Sequence, residues 1–432
     1  VLPQSQFLVL APIAPARMAD LSELLATMNE SPGMANPANA LVPFGQFERL
    51  HFARFAVLDD PALADIEAYG LPRADLPIYL AFSGCCDGSA DDCVADLARR
   101  ADTGLRRIFA HCEGFDAKSD LLAWMQAHRC PLAAAYTNWV GRTVRQIKEE
   151  SALRRALAGA VKRTPVASGA QAQQLRQALV HFVGNEVRAG KLTLSRPEPT
   201  PLRWWLAQLI HLIGVPLAGL LLLPFLIVLS PILIAVLRSK EESDPEICPR
   251  PDAAFLLQLQ RLEDFDISNQ YTAIGAVKPG SFRRWLVTLL LVAIDYTCRH
   301  IFTHGFLARV QTIHFAFWAF TDDKRRVVFT SNYDGGHEAY MDDFINKVAW
   351  GLNLVFSNGV GWPRTRWLLA RGARLEDRFK FYQRRHQLPT QVWYKAYPGL
   401  ALVELKRNQR IREGLQRSRM TDEQAQAWLE LL

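Results

Sequence analysis

The spacing of apolar positions changes along this chain, and the changes mark its elements. FLVLAPI (Phe7 to Ile13) is a short apolar run ending near proline, the mark of a buried strand. MADLSELLATM (Met18 to Met28) places Leu21, Leu24 and Leu25 at helical spacing. HFARFAV and PIYLAFSG read as a second and a third strand, Asp91 to Arg100 as a helix, and LRRIFAH (Leu105 to His111) as a fourth strand. A basic helical stretch, Gly141 to Val161, closes this set.

The same order returns later in the chain. LHFARFAVLDD (Leu50 to Asp60) and IHFAFWAFTDD (Ile313 to Asp323) share six of eleven residues. The 35 residues from Ala81 to Phe115 align without a gap on Val328 to Trp362, with eight identities, among them Asp87/Asp334 and Gly88/Gly335. Tyr136 and Gly141 then fall opposite Tyr394 and Gly399, before a second closing helix from Leu400 to Gln416. A self-similarity on this scale predicts a tandem. The β-α-β-β-α-β order predicts an α+β fold of two duplicated ferredoxin-like modules packed as a pseudo-dimer. The first module occupies residues 1–165, a helical linker 166–200, and the second module 243–432.

Between them, residues 201–242 break every soluble pattern. Trp204 to Leu237 runs 34 residues without a formal charge, longer than the roughly 20 that a membrane span requires. Pro216, Pro224 and Pro231 interrupt it, and interior prolines kink or break helices. One reading is a single kinked span; the other is an attachment hairpin bent near Pro224, or a pair of in-plane helices. Like modules that pair need one compartment, and basic residues flank both ends (Lys191, Arg196, Arg203; Arg238, Lys240), which favours the hairpin with both modules on the cytoplasmic side. RRWLVTLLLVAIDYTCRHIF (Arg283 to Phe302) carries ten uncharged residues in a row and is expected beside the hairpin at the bilayer boundary. The basic run Lys406 to Arg419 is either a headgroup contact or a solvated helix face.

Composition adds a few constraints. The net charge of +7 over 432 residues suits an anionic leaflet, and no zinc-finger spacing, RNP-like segment or basic-aromatic stripe points to nucleic acid. Seven cysteines at irregular spacings indicate reduced thiols, neither a disulfide framework nor a metal site. The opening VLPQSQFLVLAPIAP reads as strand and loop, unlike a secretory signal.

The candidate chemistry gathers at SNYDGGHEAY (Ser331 to Tyr340), between a strand and a helix. Its counterpart GCCDGSADDC keeps only Asp-Gly, so that pair reads first as a turn, the glycine supplying a positive φ. Asp334, with His337 and Tyr333 that belong to this copy alone, forms the candidate catalytic set; the bland alternative makes His337 a surface residue. His51 and His314 open matched strands. Strand alternation puts His51 on a face with Ala53, Phe55 and Val57, where it is a buried hydrogen-bonded residue or a ligand between sheets. His128 and His386 are matched too.

Paired modules with H-F-A strands and a D-G turn resemble the dimeric α/β-barrel superfamily, which includes the dye-decolourising-type haem peroxidases. G-C-C-D-G (Gly84 to Gly88) has that family's G-x-x-D-G form, whereas S-N-Y-D-G lacks the first glycine. The resemblance implies haem as cofactor and peroxidase-like oxidation as the reaction, with His386, 52 residues after Asp334, standing for the proximal ligand; His314 and His51, on their matched strands, are the other candidate binding residues. The expectation is a monotopic protein on the cytoplasmic face of a bacterial inner membrane, binding and oxidising an apolar, lipid-like small molecule. The alternative is a non-catalytic membrane-associated binding or scaffold protein.

Overall fold

The computed structural model describes every residue except 117, 164–171, 304 and 306, so the first part of the expected linker lies outside the described residues. The chain is mixed α+β. Its long strands are β1 (Gln4–Pro12), β2 (Leu50–Leu58), β3 (Tyr79–Asp87), β4 (Leu132–Thr137), β5 (Ser268–Ala276), β6 (Ile313–Thr321), β7 (Arg326–Asp334) and β8 (Thr390–Lys395). They form two sheets. One runs β1-β3-β2-β8 and continues into the short strands Met34–Ala35 and Asn29–Ser31; the other runs β4-β6-β7-β5. All pairings between long strands are antiparallel.

The pairing crosses between the halves of the chain. β8 lies against β2, and β4 lies against β6, so each half's last strand completes the other's sheet. Just before each exchanged strand, the backbone still holds its own half. Leu10 N–H donates to His128 O and Cys130 N–H to Leu8 O, both 2.9 Å; Leu388 N–H donates to Thr272 O at 2.7 Å. Leu8, Ala56, Leu58 and Ala81 from one sheet pack with Ile274, Phe317, Ala319 and Val328 from the other. Arg54, buried on β2, reaches across the same space. It donates to Tyr271 O and Thr272 Oγ1 (2.8 and 2.9 Å), to Ser331 O (3.1 Å) and to Asn332 Oδ1.

Three expectations are corrected here. Leu105–His111 is no strand: Asp102–Phe109 is a helix, with Leu105, Ile108 and Phe109 buried at helical spacing, and the fourth strand comes later, at β4. His51 does not follow simple alternation. Leu50 faces Cys86 while Phe52 faces Cys85, so His51 is the extra residue of a β-bulge, and His314 is the same between Ile313 and Phe315. A bulge re-aims its side chain, and the His51 ring sits 5.2 Å from Phe315 and 5.8 Å from Tyr397.

The third correction concerns the apolar insert, which is one continuous helix, Leu202–Ser243, passing through Pro216, Pro224 and Pro231. No hairpin forms. LLLLPFLIVL around Pro224 lacks the glycine, asparagine or serine that a reversal needs. A continuing helix also keeps its backbone hydrogen bonds internal, which an apolar setting demands. Measured along its axis the helix is about 63 Å long at 1.5 Å per residue. It bends between its ends, because His211 and Asp244 are held by His300 and Arg283, which stand closer together on a single helix. Its most apolar window has mean hydropathy 2.9 and none of it is buried.

Both ends of this helix are fastened to the same body. Near its start, His211 Nδ1 meets His300 Nε2 at 2.9 Å, and its Nε2 lies 3.4 Å from Asp295, both on helix Ser281–His300. At its end, buried Glu241 accepts from Thr365 Oγ1 and from the N–H groups of Trp367 and Leu368, at 2.9 to 3.0 Å. Asp244 pairs with Arg283 at 2.6 Å and Lys278 at 3.0 Å. Between these clasps, residues 216–229 are exposed throughout. Helix Ser281–His300 lies beside the apolar helix, as expected, and carries apolar residues on both its faces. It buries Val287, Leu291 and Cys298 and exposes Trp285, Leu289 and Val292. The basic run near the C-terminus turns partly inward: Arg412 is buried, 3.4 Å from Glu149 and 3.6 Å from Glu150.

Candidate functional site

The histidines at the two bulges and the aspartates at the two Asp-Gly turns, read separately in the sequence, are partners in space. His51 Nε2 lies 2.9 Å from Asp87 Oδ1, and His314 Nε2 lies 2.6 Å from Asp334 Oδ1. Each aspartate's second oxygen accepts the first N–H of a closing helix: Asp87 Oδ2 from Val144 at 2.9 Å, Asp334 Oδ2 from Leu402 at 2.7 Å. A carboxylate at a helix N-terminus complements the helix dipole. The turn reading also holds, because Gly88 and Gly335 have φ of 82° and 85°, and both lie where their N–H groups donate to Pro3 O and Ile267 O. One short segment therefore turns the chain, caps a helix and orients an imidazole.

The surroundings differ. His51 Nδ1 is 3.1 Å from Tyr397 Oη. His314 Nδ1 is buried without a partner, because the residue opposite Tyr397 in the sequence match is Trp139, whose ring has no hydroxyl. Asp334 gains Ser268, whose hydroxyl donates at 2.6 Å, and Lys395 Nζ lies 2.7 Å from that hydroxyl and 2.9 Å from Asp266. Burial pushes the Asp334 carboxyl up. The His314 charge and hydrogen bond, the Leu402 N–H and the Ser268 hydroxyl outweigh burial and hold it below the usual carboxylate value. Burial lowers the Lys395 ammonium, and Asp266 opposes it.

Both histidines line one small cavity with Asn138, Trp139, Phe315 and Tyr397. Its volume is about 20 Å³, room for about one water.

The other candidates lie elsewhere. Tyr333, next to Asp334 on β7, faces the opposite way and stacks on Tyr340 at 3.8 Å. His337 is buried, contrary to the surface reading; it sits near the Tyr271 ring with Glu338 3.7 Å away. Burial lowers its imidazole, and the Glu338 contact opposes this. Asp334, His337 and Tyr333 thus do not converge. His386 is buried at the end of helix Glu376–His386, stacked on Tyr382 at 4.0 Å, with Nδ1 2.9 Å from Tyr382 O and Nε2 unpartnered. It lines a separate, mostly apolar cavity of about 40 Å³. Burial pushes its imidazole down to about 4. His128 repeats its geometry against Trp124, with the same 4.0 Å and 2.9 Å contacts.

These residues do not fit haem. The cavities lined by His51, His314 and His386 measure about 20 and 40 Å³, against several hundred for a ligand-sized pocket. The larger cavity of about 390 Å³ beside Asp87 is lined mostly by polar and charged residues such as Arg49, Asp92 and Arg145, with no histidine. The Nε2 atoms of His51 and His314 are already engaged by carboxylates. Among the described residues, no cluster of three or more His, Cys, Asp or Glu side chains could hold a metal ion. Sequence reasoning missed Ser268, Lys395, Asp266 and Tyr397. Their only signal was position: Tyr397 and Lys395 frame the matched Gly399 turn, and Ser268 opens the strand beside Asp334.

No family model, curated protein or solved structure matches this chain.

Proposed function

We propose that this chain is a monotopic membrane-associated protein, its body seated on one face of a bilayer by the Leu202–Ser243 helix. The observation that carries this is the pair of clasps. A helix with 34 uncharged residues, about 51 Å long, exceeds a hydrocarbon core of about 30 Å, yet both its ends are tied to one body. A transverse span would part those ends by the bilayer thickness and break one clasp. Lying in the plane leaves both intact. The basic residues at both ends favour the cytoplasmic face and an anionic leaflet.

The body is read as two fused ferredoxin-like halves, on the matched bulges, caps and turns and the exchange of β4 and β8. Its two His–Asp pairs serve as fasteners of that pseudo-dimer, and the body acts as a non-catalytic binding or scaffold module at the membrane surface. A second reading, uptake of an apolar molecule bearing one polar group, is favoured by the unpartnered His386 Nε2 facing an apolar cavity.

Digestion of the reconstituted chain from one side of sealed vesicles tests the attachment. Cleavage both before residue 200 and after residue 244 from the same side is the expected outcome. Cleavage of the two flanks from opposite sides, or full solubility of the folded chain without detergent, would overturn it.

A further inference from the structure

The hairpin that grips the end of the apolar helix is built against its own backbone preferences. Strands Thr365–Arg366 and Ala370–Arg371 pair, and Trp367, Leu368 and Leu369 form the tip. Trp367 and Leu368 have φ of 58° and 57°. Bulky residues rarely adopt this left-handed conformation, which glycine or asparagine would take without strain. Trp367 is 49% and Leu369 47% exposed, so packing against the body does not explain the choice of residues. The strained turn is held instead by the Glu241 carboxylate, which accepts from the N–H groups of both left-handed residues. Glu241 is the last-turn residue of the apolar helix, and Arg238, one turn earlier, places its guanidinium 4.9 Å from the Trp367 ring.

The rim of the turn is cationic. Arg366, Arg371 and Arg374 are exposed, and among the described residues no ion pair holds them. Tryptophan and leucine at a tip, ringed by arginine and fixed to the end of an apolar helix, match a bilayer boundary, where the ring sits at headgroup level and the arginines meet phosphates.

We propose that Trp367, Leu368 and Leu369 form a second membrane-insertion element, docking into a bilayer that bears anionic lipids beside the C-terminal end of the long helix. Glu241 couples the two, so that the helix's seat sets the depth of the turn. This rests on the attachment reading and adds a contact that the reading does not require.

The experiment reconstitutes the full chain in vesicles of phosphatidylcholine and phosphatidylglycerol containing a phospholipid with a photoreactive acyl chain. After irradiation and trypsin, label is mapped by mass spectrometry. Cleavage at Arg366 and Arg371 releases the turn as WLLAR. The expected result is label on this peptide as well as on peptides of the apolar helix. The exposed-site variant W367S/L369S, which gives up the Arg238–Trp367 ring contact but keeps the backbone bonds to Glu241, should lose label on the turn several-fold while the helix keeps its own. Label on the helix with none on the wild-type turn overturns the insertion and spares the attachment. Label on neither overturns the attachment itself. Label on the turn that is equal in vesicles of phosphatidylcholine alone overturns the role given to the arginines and to anionic lipid.

Discussion

The His51–Asp87 and His314–Asp334 pairs share a skeleton and differ in almost everything around it. In both, a bulge turns the histidine out of strand alternation, an Asp-Gly turn presents the carboxylate, and that carboxylate caps a closing helix. The N-terminal pair is complete, since Tyr397 takes the second imidazole nitrogen. The C-terminal pair has Ser268 and Lys395 added on the carboxylate side and an unpartnered nitrogen on the other. What the two share is what a buried imidazole and a helix start both require. What differs is local chemistry laid over that frame.

Removing a carboxylate tests the shared frame and should give the largest effect. Asp334→Ala leaves His314 only its long 3.4 Å contact with the Ser268 hydroxyl, uncaps the Leu402 helix and takes from Ser268 its 2.6 Å acceptor. A loss of about 3–4 kcal/mol is expected, from orphaned buried groups and a lost cap. Asp87→Ala strands fewer groups, since His51 keeps Tyr397, and should cost about 2–3 kcal/mol. Urea unfolding of the detergent-solubilised chain measures both; equal losses would mean that Ser268 and Lys395 contribute nothing to the difference.

The matched pair His128 and His386 offers a comparison read by pH. The His386 imidazole is held neutral by burial, down to about 4 against an ordinary value of about 6.5. Its folded value is the lower one, so between those values the unfolded chain binds a proton that the folded chain refuses. This contribution to stability therefore falls as pH drops from about 6.5 to about 4, by about 3 kcal/mol in all, and is flat above and below that window. His386→Gln should flatten this part of the stability–pH profile, while His128→Gln leaves it in place. A slope that survives His386→Gln would assign the acid sensitivity elsewhere. Asp334 acts below this window: its depressed carboxyl adds stability above its ordinary value of 3.8, lost as pH falls through the lower folded value.

Much of this frame was legible in advance. Short apolar runs located β1, β2 and β3, and the repeated H-F-A and D-G residues marked matching positions. What failed did so for identifiable reasons. A bulge has no residue signature here, so alternation places His51 on the wrong face, and nothing in the pattern joins either histidine to its aspartate although the repeat marks both. Leu105, Ile108 and Phe109 suit a short strand or a helix equally by composition, and only packing settles such a run. The insert's prolines suggested a reversal, but a reversal needs turn residues as well as broken hydrogen bonds. Nor could local pattern reveal that β4 and β8 are exchanged, since an edge strand pairs with whichever edge the tertiary fold brings near it.

The finest difference between the pairs is a single hydroxyl, and two substitutions bear on it. Tyr397→Phe removes the group beside His51 Nδ1 and should cost about 1–2 kcal/mol, the price of one buried orphan. Trp139→Tyr attempts the reverse, offering His314 Nδ1 the oxygen it lacks. Its gain should be smaller, at most about 1 kcal/mol, because the lost indole volume offsets the new hydrogen bond. The informative quantity is the double variant, Trp139→Tyr with Tyr397→Phe, which exchanges the roles of the two halves. If the pairs are equivalent fasteners, the exchange should leave stability within about 1 kcal/mol of the starting chain. A much larger loss would show that the cavity between them needs its hydroxyl on the His51 side, where no lysine stands behind the carboxylate, and that the two pairs are not interchangeable.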